Sequence, residues 1–207
     1  MPRALLAALL AALLPAAAGA QEAAPALPED PRAPRFREVE RGLFVGLEAG
    51  WLGLAHTPTA DPARYPAAGS GGGHASGLAV ALQLGVDLGE RVSLAAVALA
   101  AAEQARVSYG AFGLLGAGAE ARVLLASYAD GQGVRRLHLQ LRARGAVVST
   151  EPRGLFGKRE VLVAAGPGLE YFTRLRHFSV GLGLDGLWAL KAKAIGIAVV
   201  PLVRYTF

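Results

Sequence analysis

Beyond the first 41 residues, apolar side chains recur at every second position over much of the chain. This alternation is typical of β-strands, whose side chains point in turn to opposite faces. In the final stretch, VVPLVRYTF, one face carries Val199, Pro201, Val203, Tyr205 and Phe207. Gly-, Pro- and charge-rich breaks divide the region into segments. We predict eight strands, at roughly 42–54, 76–87, 92–101, 113–126, 135–149, 161–172, 178–189 and 195–207.

The two faces of the predicted strands differ in chemistry. One face is uncharged and apolar, from Leu43 and Val45 in the first strand to Phe207 at the end. The other is rich in Gly and Ala but also carries charges, which are the acids Glu48, Asp87, Glu120, Glu170 and Asp185 and the bases Arg122, Arg136, Arg142, Arg144 and Arg204. Isolated buried charges are costly, so the balance of five acids and five bases predicts an enclosed interior with paired charges.

Within that interior, two placements follow from the spacing. Glu120 lies midway along the fourth strand, and we predict that it pairs with Arg142 or Arg144 on the fifth. His138 shares the face of the fifth strand that carries the arginines, so we expect a lumen residue there.

Alternation alone does not separate a membrane barrel from a soluble barrel with an apolar pocket. Three further features favour the membrane. The predicted connections, of about 21, 4, 11, 8, 11, 5 and 5 residues, mostly alternate long and short, as in outer-membrane barrels. The number of strands, eight, is even, as it is in bacterial outer-membrane barrels. The aromatic residues of the apolar face lie near strand ends, as in the interfacial girdles of such barrels: Trp51 and Trp188 at the outer rim, and Tyr171, Phe178, Tyr205 and Phe207 at the inner rim. We therefore predict an all-β fold, an eight-stranded antiparallel up-and-down transmembrane β-barrel over residues 42–207.

Two features of the pattern conflict with regular strands. Pro167 and Pro201 lie inside predicted strands, where each removes a ladder hydrogen bond. Gly166 and Gly168 predict a β-bulge at the first proline, and nothing comparable accompanies the second. The third strand is mostly Ala, so either parity is possible for it.

The amino-terminal residues predict export. Arg3, an apolar run over 4–14 and the small residues Ala18 and Ala20 match a signal peptide over 1–20. Residues 21–41 carry four prolines among mixed charges and predict an extended periplasmic tether. The full sequence has 21 basic and 16 acidic residues, and the exported chain without Arg3 would keep 20 basic ones. For an exported chain this surplus is compatible with anionic lipid, and we predict no nucleic-acid partner.

Catalytic chemistry has little support in the sequence. The chain has no Cys, and no His accompanies Ser and an acid in a recognisable nucleophile pattern. His56 and His74 share the first long loop with Asp61, a weak indication of a metal site, and the Gly-rich 69–77 lacks the Lys of a phosphate loop. We predict no catalytic, cofactor-binding or metal residues, no cofactor and no enzymatic activity.

The remaining candidates are interaction surfaces. Tyr205 and Phe207 at the carboxyl terminus resemble the signal by which the barrel-insertion machinery of Gram-negative outer membranes recognises its substrates, although simple girdle packing also accounts for them. Four basic residues lie in or beside predicted outer loops, and they indicate contact with anionic lipid head groups or a partner-binding patch: Lys158, Arg159, Lys191 and Lys193.

Three stretches, EVERGLFVGLEAGWL (38–52), LGVDLGERVSL (84–94) and VLVAAGPGLEYFTRLRHFSVGL (161–182), resemble the myxobacterial outer-membrane proteins of the adventurous gliding motility group. The resemblance implies a non-enzymatic outer-membrane barrel that serves the gliding machinery, with other envelope proteins of that machinery as partners. It carries no functional residues over to this chain. A stand-alone barrel for envelope stability or small-ligand binding remains the alternative.

Overall fold

The computed structural model describes residues 39, 41–55, 74–105, 111–151, 159–175 and 177–207. The predicted signal peptide, almost all of the predicted tether, and the candidates His56, Asp61 and Lys158 lie outside the described residues. Within the described ranges, no helix is long and apolar enough to cross a membrane, a finding that concerns helices alone.

Eight strands form one closed antiparallel barrel in which each pairs with its neighbours in sequence and the last pairs with the first. This confirms the predicted fold, and every predicted strand end lies within four residues of the observed one. The strands are β1 (Leu43–Leu54), β2 (Ala75–Leu88), β3 (Val92–Ala105), β4 (Ala111–Ala129), β5 (Arg135–Glu151), β6 (Glu160–Phe172), β7 (Phe178–Ala189) and β8 (Ala194–Thr206).

The apolar face of the strands is the outer face of the barrel. Leu47, Leu82 and Val203 are exposed on it, whereas Glu48, Gln83 and Arg204, one residue further along, are buried in the lumen. Apolar side chains are exposed around the wall, and polar and charged ones are inside. A soluble barrel has the opposite arrangement, so this wall is that of a transmembrane barrel, and closure leaves no strand edge facing lipid.

The structure resolves the parity of β3. Val97 is buried in the lumen, and Ala96 and Ala98 are exposed on the wall, so the odd-numbered residues of this strand face the interior there. In β4 the register against β5 shifts between Leu124 and Ala126, which places a β-bulge at Leu125. Leu125, at an odd position, and Tyr128, at an even one, are both exposed on the wall. The bulge therefore changes the outward-facing residues from odd-numbered to even-numbered positions.

The predicted bulge at Pro167 is absent. Pro167 pairs with Leu141 of β5, and the ladder to β7 is interrupted beside it but resumes in the same register. Pro201 pairs with Leu182 of β7, and the ladder to β1 is interrupted in the same way. Each proline therefore leaves a gap on one side only, and its exposed ring faces outward.

Glycines accompany both gaps. A side chain at Gly166 would overlap backbone of β7, and one at Gly50 would overlap backbone of β8. At these two positions the absence of Cβ allows the neighbouring strand to come close despite the missing hydrogen bond.

The alternation of long and short connections is weaker than predicted. The strands leave 20, 3, 5, 5, 8, 5 and 4 residues between them, so only the first and third outer connections exceed the inner turns. The second outer connection is short because β3 continues to Ala105, past the point where Glu103 and Gln104 break the apolar pattern.

Candidate functional site

The inner half of the lumen holds a connected set of five charged side chains and one amide from four strands, which we call the central network: Glu48, Gln83, Glu120, Arg122, Arg142 and Arg144. Glu120 accepts hydrogen bonds from Arg122 Nε at 2.5 Å and Arg144 Nε at 2.7 Å. Glu48 accepts from Arg142 Nη2 at 2.5 Å and Arg144 Nη2 at 2.6 Å. Gln83 Nε2 donates to Glu48 at 2.8 Å, so β1, β2, β4 and β5 are tied together across the lumen.

A second set lies nearer the inner rim. Arg204 pairs with Asp87 and stands 3.7 Å from Glu170, and its guanidinium lies 3.8 Å from the centre of the Phe44 ring. Glu170 also accepts hydrogen bonds from Gln140, at 3.1 Å, and from the Ser179 hydroxyl. The charges here are neutralised by several partners at once, which is the condition for burying them.

The predicted pairing of Glu120 is confirmed with both candidate arginines. Arg144 donates at 2.7 Å, and Arg142 Nη2 lies 3.3 Å from the carboxylate. Arg122 lies on the lumen face, as predicted, but its pairing with Glu120, two residues away on the same strand, was not predicted. His138 is a buried lumen residue, as predicted, with Nε2 3.1 Å from the Arg135 carbonyl.

Arg136 does not join the lumen network, contrary to prediction. It lies where the β4–β5 register shifts, and its Nε donates to Asp130 in the inner turn at 2.9 Å. Partial desolvation works to raise the pKa of Asp130. Backbone N–H groups of Gln132 and Val134 and the Arg136 guanidinium outweigh that effect and hold the pKa below its ordinary value of 3.8.

The outer half of the lumen is apolar, which the sequence analysis did not anticipate. It contains a cluster of buried side chains: Leu52, Leu54, Ala75, Ala101, Phe112, Leu114, Ala146, Val148, Ala164, Leu187, Ala198 and Val200. Between this cluster and the central network lies a cavity of about 50 Å³, lined at its polar end by Glu48, Arg144 and Asp185. Side chains therefore occupy much of both halves of the lumen.

Among the described residues, Glu103 is a buried lumen charge that stands outside both ion-pair sets. It is 1% exposed in the outer half, and neither carboxylate oxygen has a hydrogen-bond partner among the described residues. The predicted third strand ends at residue 101, four residues short of the observed end, and so does not include Glu103. Continuing the odd parity from Val97 would have placed Glu103 inside.

The rims carry the predicted aromatics. Trp51 and Trp188 are exposed at the outer end of the wall. At the inner end, the Tyr205 ring centre lies 5.0 Å from that of Phe178 and 5.1 Å from that of Phe207. Ring positions at the two ends of an apolar wall match the interfacial girdles of membrane barrels.

The outer rim also carries basic side chains. Arg159, Lys191 and Lys193 are exposed, and Lys191 Nζ donates to the Arg159 carbonyl at 2.8 Å. Beneath them, the buried Glu160 carboxylate accepts hydrogen bonds from the backbone N–H groups of Lys191 and Ala192 and so closes the β7–β8 turn. His74 is exposed just before β2, and within the described residues no group of His, Asp and Glu is placed to hold a metal ion.

Comparison with known proteins supports the fold. No protein-family model and no curated protein matches this chain. Among solved structures, the crystal structure of Neisserial surface protein A matches with a TM-score of 0.55 at 14% sequence identity, and the match covers 80% of this chain and 97% of that chain. That protein is an eight-stranded outer-membrane barrel. At this level of identity the likeness shows the fold that the two chains share.

Proposed function

We propose that this chain is a non-enzymatic barrel of the outer membrane that acts by structural anchoring or by interaction with partners at its rims. The observation that carries the proposal is the reversed distribution of polarity, with exposed Leu47, Leu82 and Val203 on the wall and a buried ion-pair network inside. A closed barrel of this kind is stable in lipid, and bacterial outer membranes are where such barrels occur.

The filled lumen favours an anchoring role over transport. Arg142 and Arg144 reach Glu48 from the opposite side of the barrel, and the outer half is occupied by apolar side chains. An eight-stranded barrel is just wide enough for side chains to fill it. The rims and the lipid-facing wall are the surfaces that remain for interaction.

Location and orientation can be tested together because the chain has no native Cys. Lys193→Cys places a thiol at the outer rim, and Arg174→Cys places a matched thiol at the exposed inner turn. On intact cells, a membrane-impermeant maleimide should label the first variant, and the second only after the outer membrane is permeabilised. Labelling of both variants on intact cells, or of neither, would contradict the proposed placement.

The finer hypothesis, that the barrel serves adventurous gliding motility together with other envelope proteins of that machinery, rests on the sequence resemblance of residues 38–52, 84–94 and 161–182 alone. Deleting the gene and filming single cells on agar tests it. Loss of gliding, restored by the intact gene, is the expected result. Unaltered gliding in the deletion strain would leave the alternative of a stand-alone barrel for envelope stability or small-ligand binding.

A further inference from the structure

Strand β4 extends past its neighbour β3 at the inner rim and has an unpaired edge there. The ladder between the two strands ends where Val92 pairs with Val123. One further hydrogen bond joins Leu124 N to the Arg91 carbonyl at 2.7 Å. Beyond that point β4 stays paired to β5 on its other side, apart from the bulge. Within the described part of the chain, residues 125–129 have no neighbouring strand on the β3 side, and we call this stretch the β4 edge.

The strand ends at the other inner connections are more nearly level. Phe178, the first residue of β7, pairs with Tyr205, the last residue but one of β8. Leu43, the first residue of β1, pairs with Val86, two residues before the end of β2. At the β3–β4 step, by contrast, β4 runs six residues past its last pair with β3, from position 123 to position 129. A closed barrel requires its strands to be staggered, and much of that stagger falls at this one step.

The β4 edge lies at the inner rim. Tyr128 pairs with Leu137, which pairs in turn with Tyr171 of the inner girdle. The strand then leads directly into the polar turn that holds Asp130 and the exposed Gln132. Unpaired backbone groups are not tolerated against acyl chains, but at this depth they meet head groups and the periplasm.

The sequence of the β4 edge leaves it open to pairing. It reads LASYA over 125–129, without the charged residues or prolines that commonly protect exposed edges. The bulge at Leu125 distorts its first residue, so the regular part is 126–129. Alternate residues of an antiparallel strand direct their backbone groups to the same side, so two of these four offer an N–H and a C=O to a newcomer.

We propose that the β4 edge binds an extended segment of a periplasmic protein, which adds to β4 as a further strand. The inference rests on the proposed function, since the inner rim must face the periplasm. A row of unpaired N–H and C=O groups is matched by another extended backbone, and apolar side chains at alternate positions of the segment would continue the wall beside Tyr128. A second copy of the barrel fits less well. Its β4 crosses the membrane in the same direction, so the two edges are not antiparallel.

The test uses the full chain refolded in lipid nanodiscs, which leave the inner rim open to solvent. The chain has no native Cys, so Gln132→Cys carries an environment-sensitive dye in the exposed turn beside the edge. The probe is a short synthetic peptide with blocked ends in which Thr and Val alternate. Two further peptides carry N-methyl groups either on every Thr or on every Val, so each lacks one alternate set of N–H groups. Binding is titrated through the dye.

Only one alternate set of N–H groups faces the neighbour in an added strand. We expect one methylated peptide to bind as well as the unmodified one. The other should bind about 25-fold more weakly, because two hydrogen bonds worth about fivefold each are lost. Tyr128→Ser should weaken binding by up to about fivefold, since it removes an apolar cross-strand neighbour. Tyr171→Ser, the same change in the girdle on β6, should have no effect. Each variant is first shown to be folded by its heat-dependent shift on a gel.

Equal binding of the two methylated peptides would overturn the inference, because adhesion to the apolar wall or to lipid does not require backbone N–H groups. Equal losses from Tyr128→Ser and Tyr171→Ser would also overturn it. So would the absence of saturable binding, which would mean that the edge is left to water or is covered by the chain itself. Nanodisc binding does not depend on where the protein resides in the cell. Failure of the proposed location therefore shows in the thiol labelling, and failure of the β4 edge shows in the titration.

Discussion

Removing the charge of Glu120 should be among the most destabilising conservative changes in the barrel. Glu120 is 3% exposed and contacts three guanidinium groups, those of Arg122, Arg144 and, at 3.3 Å, Arg142. In Glu120→Gln, Glu48 is the one carboxylate of the central network that remains near these three buried guanidinium groups. Breaking a buried pair by removing one partner costs about 3–5 kcal/mol, a large part of a typical total stability of about 5–15 kcal/mol.

A double-mutant cycle with Arg144 separates pairing from simple loss of packing. Arg144→Gln alone should also be costly, but Glu120→Gln/Arg144→Gln restores the charge balance and should lose less than the sum of the single changes. Residues in direct contact show coupling of about 0.5–3 kcal/mol. The free energy of unfolding is measured by urea titration in phospholipid vesicles, with tryptophan fluorescence as the signal.

The matched control is the Asp130–Arg136 pair, whose atoms lie 2.9 Å apart but whose side chains are 22% and 15% exposed. Asp130→Asn should cost much less than Glu120→Gln, because solvent-screened pairs contribute little. A Glu120→Gln variant as stable as the control, or additive losses in the cycle, would refute the view that the lumen network holds the strands together.

Four further predictions follow from the same structure. Leu47→Arg, at mid-wall, should cost about 2–4 kcal/mol in vesicles and Leu43→Arg, near the inner end, only about 0–1; equal losses would argue against a lipid-facing wall. Glu103→Leu should stabilise by about 1–3 kcal/mol in the same assay, since it removes an unpartnered buried carboxylate, and a loss would indicate that the carboxylate has a partner. Because the pKa of Asp130 is depressed in the folded state, this carboxylate stabilises the fold above its ordinary pKa of 3.8, and the stabilisation is lost as the pH falls through the lower folded pKa. Asp130→Asn should therefore flatten the decline of stability in that pH range, and an unchanged pH profile would contradict this. Phe207→Ala should slow insertion by the barrel-insertion machinery in cells without preventing refolding in vesicles; if insertion is unaffected, the terminal ring serves only the inner girdle.

Much of the fold was predictable because a barrel wall in lipid enforces strict alternation. The pattern placed β7 at its observed bounds and identified Glu120 and Arg144 as partners, since both occupy the same face of adjacent antiparallel strands. Parity also put His138 in the lumen correctly.

The errors arise where local sequence does not determine geometry. The bulge at Leu125 reverses parity without Gly or Pro to mark it. A second register shift, between Tyr128 and Ala129, lies opposite Arg136, which pairs with Asp130 in the turn. Pro167 needs no bulge, because its missing N–H interrupts only the ladder to β7, while the ladder to β5 continues through it. The apolar outer lumen shares its parity with the charged inner lumen, so alternation alone could not distinguish the two halves.

The central claim is that this chain is a closed barrel with its apolar face in the outer membrane. Its most direct test is to express the full chain, isolate outer membranes, and compare its electrophoretic migration with and without boiling. The account predicts a band in the outer-membrane fraction that shifts on heating, because a compact closed barrel migrates differently until it unfolds. A soluble periplasmic protein with no such shift would contradict it.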